Sequence, residues 1–573
     1  MSPSVAVVGR RGRFVVAEPL FERGSQLSLA RGGPRVRGGE MVLVAERGRS
    51  GRVLEVLGDP THARDVATAL LLERGLRRGF DERLEEEAAA AAAAARKGAH
   101  ERRNLTQLAT FTVDPVTARD FDDAVSAEAQ GDSIRLWIHI ADVAAHVRPG
   151  SALDAEAARR ANSVYVPGTV EPMLPRTLSA GACSLSPDVE RLAVTTEMLL
   201  APDATVSSVS FYRSRIRSDH RLSYDELDEY FAGRASPPDR IARPLELARR
   251  AAASLVERRS GGSLEVSTSE PEFEFDRGGQ VVRAQAVAQT EAHRLIEQLM
   301  VVTNEQVALT CERRRTPALY RVHERPEPAR IAVLFEQLAA LDLPTPPLPS
   351  NPSPSDAARL AAEASAMVSR EAARRGHGRA AYTSLVLRSL KQAVYSDRNV
   401  GHAGLASPAY CHFTSPIRRY PDLVVHRALL SGLGGAEPEP QRADVREAAV
   451  WCSEREREAT RIERDADQLC AAFLLERELF EAGHEREFAG EVSGVIGPGA
   501  FVRFGGELGD VYEGFLPARR LGGERFELNA TETATVGTRT GRTIRLGDPV
   551  DVRVTGVEAP RGRVDLVPVA EAS

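Results

Sequence analysis

Short runs of alternating hydrophobic and polar residues fill both ends of the chain. Between Ser4 and Gly58 the runs VAVVG, FVVAE, EMVLVAE and GRVLEVLG are separated by Gly-rich turns, and from Glu487 onward GEVSGVIGPGAFVRFGG, VYEGFLPARRL and TIRLGDPVDVRVTGVEAPRGRVDLV repeat the pattern. A period of two is typical of half-buried β-strands, and several short strands joined by turns favour a small barrel. We therefore predict one small β-barrel over residues 1–58 and a five-stranded barrel over residues 485–573.

Helical spacing of apolar residues dominates the segment that follows the first barrel. Residues 59–103 combine HARDVATALLLERGL with an acidic run and an alanine run, which predicts a helical connector. Residues 104–484 mix strands with long helical patterns such as TEAHRLIEQLMVVTNEQVALTCERRR. We interpret the proline-rich stretch Leu341–Asp356 as a loop, because the chemically distinctive residues lie on both sides of it. The middle of the chain is thus predicted to be one large α+β unit.

The composition is that of a globular protein with several domains. Of 573 residues, 42% are hydrophobic and 27% are charged, and no apolar run reaches the roughly 18 residues of a transmembrane helix. The beginning, MSPSVAVVGRRGRF, lacks the apolar core of a secretory signal, so we expect a cytoplasmic protein without a membrane contact, and a monomer. Five cysteines occur without a CxxC pair or a histidine at zinc spacing, which argues against disulfides and structural zinc.

The net charge leaves the class of partner open. A charge of −6 argues weakly against nucleic acid, yet an enclosed groove needs positive charge only along its own walls. The N-terminal barrel carries many arginines, which give it a basic face suited to an OB-like nucleic-acid-binding fold. Among them are Arg10, Arg11, Arg35, Arg37 and Arg52.

The stretch TVDPVTARDFDDAVSAE contains a cluster of four aspartates, Asp114, Asp120, Asp122 and Asp123. Carboxylates this close repel one another unless water or cations neutralise them. The apolar segments LATFTV and RLWIHIADVAAHV place the cluster at the edge of a core. Oxygen ligands of this kind select Mg²⁺ or Mn²⁺, and two adjacent aspartates can serve two ions about 3.5–4 Å apart, which would hold the attacking and leaving oxygens of a phosphodiester.

Other readings of the aspartate cluster lead to other chemistry. An acidic surface turn is the alternative for an isolated DxDD sequence. An EF-hand is excluded, because the required glycine at the sixth position and glutamate at the twelfth are missing. Terpene cyclases use DxDD to donate a proton, but they are all-helical and the surroundings here are rich in strands. The residues alone leave the reaction class open.

The segment DPVTARDFDDAV is similar to the signature of the RNB catalytic domain of the ribonuclease II/ribonuclease R family. Further segments match that family in order, namely HIADVAAHVRPGSALDAEA, NSVYVPGTVEPMLPRTLSAGACSLSP, EAHRLIEQLM, ALYRVHERP, LRSLKQAVYS and HFTSPIRRYPDLVVHRALL. The resemblance implies an α+β fold in which a large mixed RNB domain, residues 104–484, is flanked by a reduced cold-shock-like OB barrel and an S1-like OB barrel. It also implies a hydrolytic 3′→5′ exoribonuclease that degrades single-stranded RNA to nucleoside 5′-monophosphates by a two-metal mechanism.

The resemblance assigns roles to the aspartates and to one arginine. It implies that Asp114, Asp120, Asp122 and Asp123 bind Mg²⁺, with Mn²⁺ as an alternative, and that Asp122, Asp123 and Arg418 are catalytic. In HFTSPIRRYPDL two arginines lie between prolines, so that a rigid loop can present guanidinium groups to phosphate oxygens. Arg418 would neutralise charge on the transferring phosphoryl group, and a surface salt bridge to Asp422 is the alternative.

A second set of residues is expected to bind RNA. Tyr165 would stack on a terminal base, which suits an enzyme that accepts any sequence, and Tyr224 would contact the 3′ end. The aromatic rings of the C-terminal barrel would form a stacking platform, with a plain core role as the alternative for each ring. The expected RNA-binding residues are Tyr165, Tyr224, Glu297, Arg419, Glu463, Phe501 and Phe504.

Three features depart from the family pattern. Val266 stands where relatives usually have a phenylalanine that completes the clamp on the last base, and Gln298 replaces a glutamate expected after Glu297. The front of the chain has room for only one of the usual two cold-shock barrels. Two further hypotheses therefore stay open: a catalytically inactive RNA-binding regulator with the same fold, and an enzyme acting on DNA or another phosphoester.

Overall fold

Five short strands close into a barrel at the N-terminus of the computed structural model. The model describes residues 3–12, 14–22, 24–30, 32–48, 50–76, 79–97, 101–259, 271–286, 289–435, 437–505 and 510–569. The strands are β1 (Ser4–Arg11), β2 (Phe14–Pro19), β3 (Leu27–Leu29), β4 (Met41–Arg47) and β5 (Ser50–Gly58). Their order is β1-β2-β3-β5-β4, and antiparallel pairing of β1 with β4 closes the barrel. Alternate residues such as Val8, Val42 and Val44 fill its interior.

Two helices connect this barrel to the central domain. They are α1 (Ala63–Glu73) and α2 (Glu82–Lys97). Both lie within residues 59–103, where the sequence predicts a helical connector. Buried residues of α1, including Leu70 and Leu71, pack against Ile462 and Ala466 of a long helix described below.

A seven-stranded sheet forms the centre of the molecule. Its order is β14-β7-β8-β9-β12-β13-β6, and most neighbours are antiparallel. The strands are β6 (Arg103–Asn104), β7 (Phe111–Asp114), β8 (Asp123–Gln130), β9 (Ser133–Ala141), β12 (Glu190–Leu200), β13 (Val206–Arg217) and β14 (His220–Ser223). Fully buried Leu136, Ile138 and Ile140 of β9 share one large core with the neighbouring helices. On the other face of β9, Trp137, His139 and Ala141 are also buried, so this strand is covered on both sides and its sequence is nearly continuously apolar.

Helices and short hairpins surround the sheet. The hairpin strands are β10 (Val164–Val166), β11 (Thr169–Glu171), β15 (Pro271–Phe275), β16 (Val281–Ala286), β17 (Tyr320–Val322) and β18 (Val394–Ser396). The helices are α3 (Ala152–Arg160), α4 (Tyr224–Phe231), α5 (Asp239–Arg259), α6 (Glu291–Arg314), α7 (Pro328–Ala340), α8 (Pro354–Arg375), α9 (Arg379–Ser389), α10 (Tyr420–Gly432) and α11 (Arg442–Ala482). The proline-rich stretch joins α7 to α8, and these two helices share a core with α9. It is therefore a loop inside one unit.

A second closed barrel follows α11. Its strands are β19 (Glu487–Ile496), β20 (Gly499–Phe504), β21 (Tyr512–Pro517), β25 (Pro549–Glu558) and β26 (Arg563–Pro568). A separate three-stranded sheet, β22 (Phe526–Leu528), β23 (Ala534–Gly537) and β24 (Thr543–Arg545), is inserted between β21 and β25. The sequence pattern had placed TIRL in the barrel itself, whereas β24 pairs only with β23. The fold class, a mixed central domain between two barrels, is confirmed.

No helix in the described part of the chain is both long enough and apolar enough to span a membrane.

Candidate active site

The ends of two sheet strands bring the aspartates together. β7 ends at Asp114, and β8 begins at Asp123. Because Phe111 pairs with Val125 in an antiparallel register, the end of β7 lies beside the beginning of β8. On the other side of β7, Ser223 pairs with Asp114, which places the beginning of α4 next to the same carboxylates.

A loop formed by residues 415–419, here called the arginine loop, covers the aspartates. The backbone N–H of Ile417 donates a hydrogen bond of 2.8 Å to Oδ1 of Asp122. The Nε of Arg418 lies 3.6 Å from Oδ2 of Asp122, and this arginine side chain is 46% exposed. Arg418 therefore faces both the buried carboxylate and the open side of the site.

The negative charges of the buried aspartates are only partly offset by neighbouring positive charges. It raises the pKa of Asp114 to about 8, with a further contribution from the charge of Asp123. It also raises the pKa of Asp123 to about 6 and that of Asp122 well above the usual range, while Arg418 lowers both. Arg221 lowers the pKa of Asp114 by a smaller amount. Positive charge from the protein is thus too small to offset the cost of burial.

The aspartates fit a hard divalent cation by their chemistry. Oδ2 of Asp114 and Oδ2 of Asp122 are both buried and accept no hydrogen bond from the described residues. Buried polar atoms normally have a partner, and a cation is the partner that would also reverse the raised pKa values. In the described ranges no three His, Cys, Asp or Glu side chains are arranged around one metal position.

Tyr165 links the aspartates to α11. Its hydroxyl donates to Oδ2 of Asp120 at 3.2 Å, and its backbone N–H donates to Oε1 of Glu463 at 2.9 Å. Burial raises the pKa of the Tyr165 hydroxyl, and the charge of Asp120 raises it further. The residue is nevertheless 39% exposed. Part of Tyr165 is therefore accessible to solvent beside the carboxylates.

Tyr224 approaches the site from the opposite side. Its ring stacks on His293 of α6 with centroids 3.9 Å apart and planes 10° apart. Burial raises the pKa of Tyr224, and the negative charges of Asp123 and Asp114 raise it further. Glu297 is exposed one turn beyond His293 on α6. Neither His293 nor Arg221 was predicted from the sequence, although His293 lies in the segment EAHRLIEQLM.

Gln298 and Val266 are the two residues near the predicted base clamp that differ from the family pattern. Gln298 accepts a hydrogen bond of 2.7 Å from Nη1 of Arg259, so its amide serves a contact between α5 and α6. Val266 lies outside the described residues.

Two predicted RNA-binding residues have other roles. Arg419 donates to Oδ1 of Asp422 at 2.8 Å, and its side chain is only 22% exposed, so its guanidinium is committed to the protein. Phe504 is fully buried and packs edge-on against Phe488, which leaves no ring face for a base. Phe501 is 36% exposed and keeps that role open.

An arginine-lined groove of about 490 Å³ runs along α11. Three arginines of this helix, here called the groove arginines, have no ion pair with any described acidic residue; they are Arg457, Arg461 and Arg464. The two acidic residues of the groove are already paired, Glu456 with Arg321 and Asp465 with Arg74. The groove therefore has a net positive charge. Glu463, which accepts the hydrogen bond from the backbone N–H of Tyr165, is the residue next to Arg464 on the same helix.

Known proteins share both the sequence and the fold. The family model described as RNB domain matches residues 102–435. Ribonuclease R of Aquifex aeolicus is 33% identical over 524 residues, which cover 90% of this chain and 72% of that protein. The apo form of Mycoplasma genitalium RNase R superposes with a TM-score of 0.87 at 24% identity and covers 99% of this chain and 90% of that one.

The fold by itself does not establish catalysis. Yeast Ssd1, described as a pseudonuclease, shares the fold with a TM-score of 0.65 at 16% identity, over 93% of this chain and 67% of that one. The family model, by contrast, covers more than half of the chain and includes all four aspartates and Arg418. Together with the extent of the sequence identity, it establishes that the chain belongs to the RNB-domain family that includes ribonuclease R.

Proposed function

We propose that this chain is a Mg²⁺-dependent exoribonuclease that hydrolyses single-stranded RNA from the 3′ end and releases nucleoside 5′-monophosphates. The observation that carries the proposal is the buried, undercompensated aspartate cluster with Arg418 beside it, in a chain of the RNB-domain family. A regulator without catalysis has no use for a buried cluster whose ionisation costs stability.

The four aspartates would hold the metal ions. Bound there, Mg²⁺ or Mn²⁺ would supply an activated water and neutralise charge on the phosphodiester. The proposed donors are Oδ2 of Asp114 and Oδ2 of Asp122, which accept no hydrogen bond from the described residues, and the carboxylates of Asp120 and Asp123. The proposed site holds two such ions.

Other residues of the site would position the RNA terminus. The guanidinium of Arg418 would contact the phosphoryl oxygens as their charge increases, which a fixed donor does without reorganisation. The exposed ring of Tyr165 would stack on a terminal base, and Tyr224 would contact the 3′ end. Glu297 is proposed to contact the same end from α6.

The groove arginines would hold upstream phosphates of the same strand. A groove lined by unpaired arginines, on the helix that also contacts Tyr165, suits a backbone track without sequence preference. Phe501 on the C-terminal barrel would add a stacking contact. A monomeric state and a cytoplasmic location stay predictions from the sequence.

The Asp122→Asn variant tests the proposal. The substitution keeps the size of the side chain and an acceptor for the Ile417 N–H, but removes a negative charge from the proposed metal site. We expect the variant to bind single-stranded RNA with unchanged affinity and to release no mononucleotide in Mg²⁺. Wild-type activity in the variant would contradict the metal assignment, and RNA binding without mononucleotide release by the wild-type chain would support the inactive regulator. Matched RNA and DNA oligonucleotides distinguish the hypothesis of a DNA-acting enzyme.

A further inference from the structure

A buried carboxylate lies directly behind the arginine loop. Asp422, in the first turn of α10, is fully buried. Its Oδ1 accepts hydrogen bonds from the backbone N–H of Ser415 and from Nη2 of Arg419, both at 2.8 Å. One oxygen atom thus holds the first and the last residue of the loop.

The path of the loop fixes three groups of the proposed site at once. The Ile417 N–H reaches Oδ1 of Asp122, and Nη2 of Arg418 donates to Oγ of Ser415 at 3.1 Å. The carbonyl of Arg418 accepts a hydrogen bond of 2.9 Å from the N–H of Ser163, two residues before Tyr165. A change in the loop would therefore move the guanidinium of Arg418, the carboxylate of Asp122 and the segment that carries the stacking ring.

The two adjacent arginines of the loop point to opposite sides. Arg418 is half exposed and faces Asp122, whereas Arg419 turns inward to Asp422. Behind Arg419, the hydroxyl of Tyr395 and Nδ1 of His412 form a hydrogen bond of 2.8 Å, so this side is closed by packed aromatic groups. Arg419 cannot turn toward RNA without leaving a buried, unpaired carboxylate, which is costly.

We propose that Asp422 is a positioning residue for the reaction: by clamping Ser415 and Arg419, it sets the loop geometry that places Arg418 and the Ile417 N–H against Asp122. This inference rests on the proposed nuclease function. Asp422 itself touches neither the proposed metal position nor the substrate. It acts on the rate because the site depends on prearranged groups, and small misplacements of such groups reduce the rate strongly.

The Asp422→Asn variant tests this role. The amide keeps one oxygen that can accept from the Ser415 N–H. It carries no negative charge, so the ion pair with Arg419 is lost. We expect kcat to fall about 10- to 100-fold, as for other residues that orient a reactive group, while KM and the RNA dissociation constant change by less than about twofold. Asp142→Asn is the matched control, because Asp142 is also fully buried and paired with two arginines, Arg102 and Arg213, but lies outside the loop. This control should keep the wild-type kcat.

A double-variant comparison separates positioning from stability. Because Asp422 acts in part through Arg418, Asp422→Asn should lower the rate by a smaller factor in an Arg418→Ala background than in the wild type, since one of the groups it positions is already missing. Equal fold losses in the two backgrounds, or a wild-type kcat in Asp422→Asn, would overturn the proposal. Should Asp422→Asn fail to fold, Arg419→Lys keeps both charges, and the same comparison with Arg418→Ala decides. Full activity in Arg418→Ala alone would refute the role of Arg418 and with it this inference, whereas a wild-type chain that releases no mononucleotide would refute the proposed function.

Discussion

Substitution of Tyr165 tests whether its ring contributes to the binding of an RNA terminus by stacking on a base. Tyr165→Ala removes the ring but keeps the backbone N–H that donates to Glu463. Stacking of one base on an aromatic ring contributes about 1–3 kcal/mol, so we expect the dissociation constant for single-stranded RNA to rise about 5- to 150-fold. Tyr165→Phe keeps the ring and loses only the hydrogen bond to Asp120, so its affinity should stay within about twofold of wild type.

Equilibrium binding of a fluorescent oligonucleotide measures this effect without interference from cleavage if every variant also carries Asp122→Asn. The reasoning would be refuted if Tyr165→Ala bound RNA as tightly as the parent. Equal losses in the alanine and phenylalanine variants would show that the bond to Asp120, and not stacking, holds the terminus.

Three further predictions follow from charge and burial. Replacing the three groove arginines by alanine should reduce the slope of log affinity against log salt concentration by about 2, since each phosphate contact on a single strand contributes about 0.7. The control Arg250→Ala, outside the groove, should leave this slope unchanged. An unchanged slope in the triple variant would contradict RNA binding along the groove. Because the pKa of Asp114 is raised to about 8 and that of Asp123 to about 6, against about 3.9 in an unfolded chain, the folded state binds more protons, and EDTA-treated protein should lose stability as the pH rises from about 4 to about 8. Mg²⁺ should therefore raise the melting temperature more at pH 8 than at pH 5, and an equal shift at both pH values would count against the metal site. Phe504→Ala should lower the free energy of unfolding by about 3–5 kcal/mol in a urea titration. Phe501→Ala should weaken RNA binding and leave the free energy of unfolding nearly unchanged. The reverse result would contradict a core role for Phe504 and an RNA-binding role for Phe501.

The barrels and the central domain could be predicted from sequence because strands with one buried face alternate with a period of two. The same alternation argues against a stacking platform made of both Phe501 and Phe504. In β20 the side chains of Val502 and Phe504 share the interior, and Phe501 lies on the outer face with Arg503, so the two phenylalanines could not both face RNA. The additional three-stranded sheet was missed because its strands are too short to show alternation.

The aspartates and Arg418 were predicted because they lie in segments whose residue types restrict the chemistry. The roles of Arg419 and His293 were not predicted, since each depends on a contact that sequence spacing does not reveal. Adjacent arginines in a loop look equivalent until the buried Asp422 selects one of them. His293 pairs with Tyr224 only because β14 and α4 bring the tyrosine to α6.

Following a 5′-labelled single-stranded RNA over time with the wild-type chain tests the central claim most directly. With Mg²⁺ the label should appear in a ladder of products that shorten from the 3′ end one nucleotide at a time, and with EDTA the RNA should stay intact. Immediate release of a labelled mononucleotide, internal fragments in place of a ladder, or undiminished degradation in EDTA would contradict a metal-dependent 3′→5′ exoribonuclease.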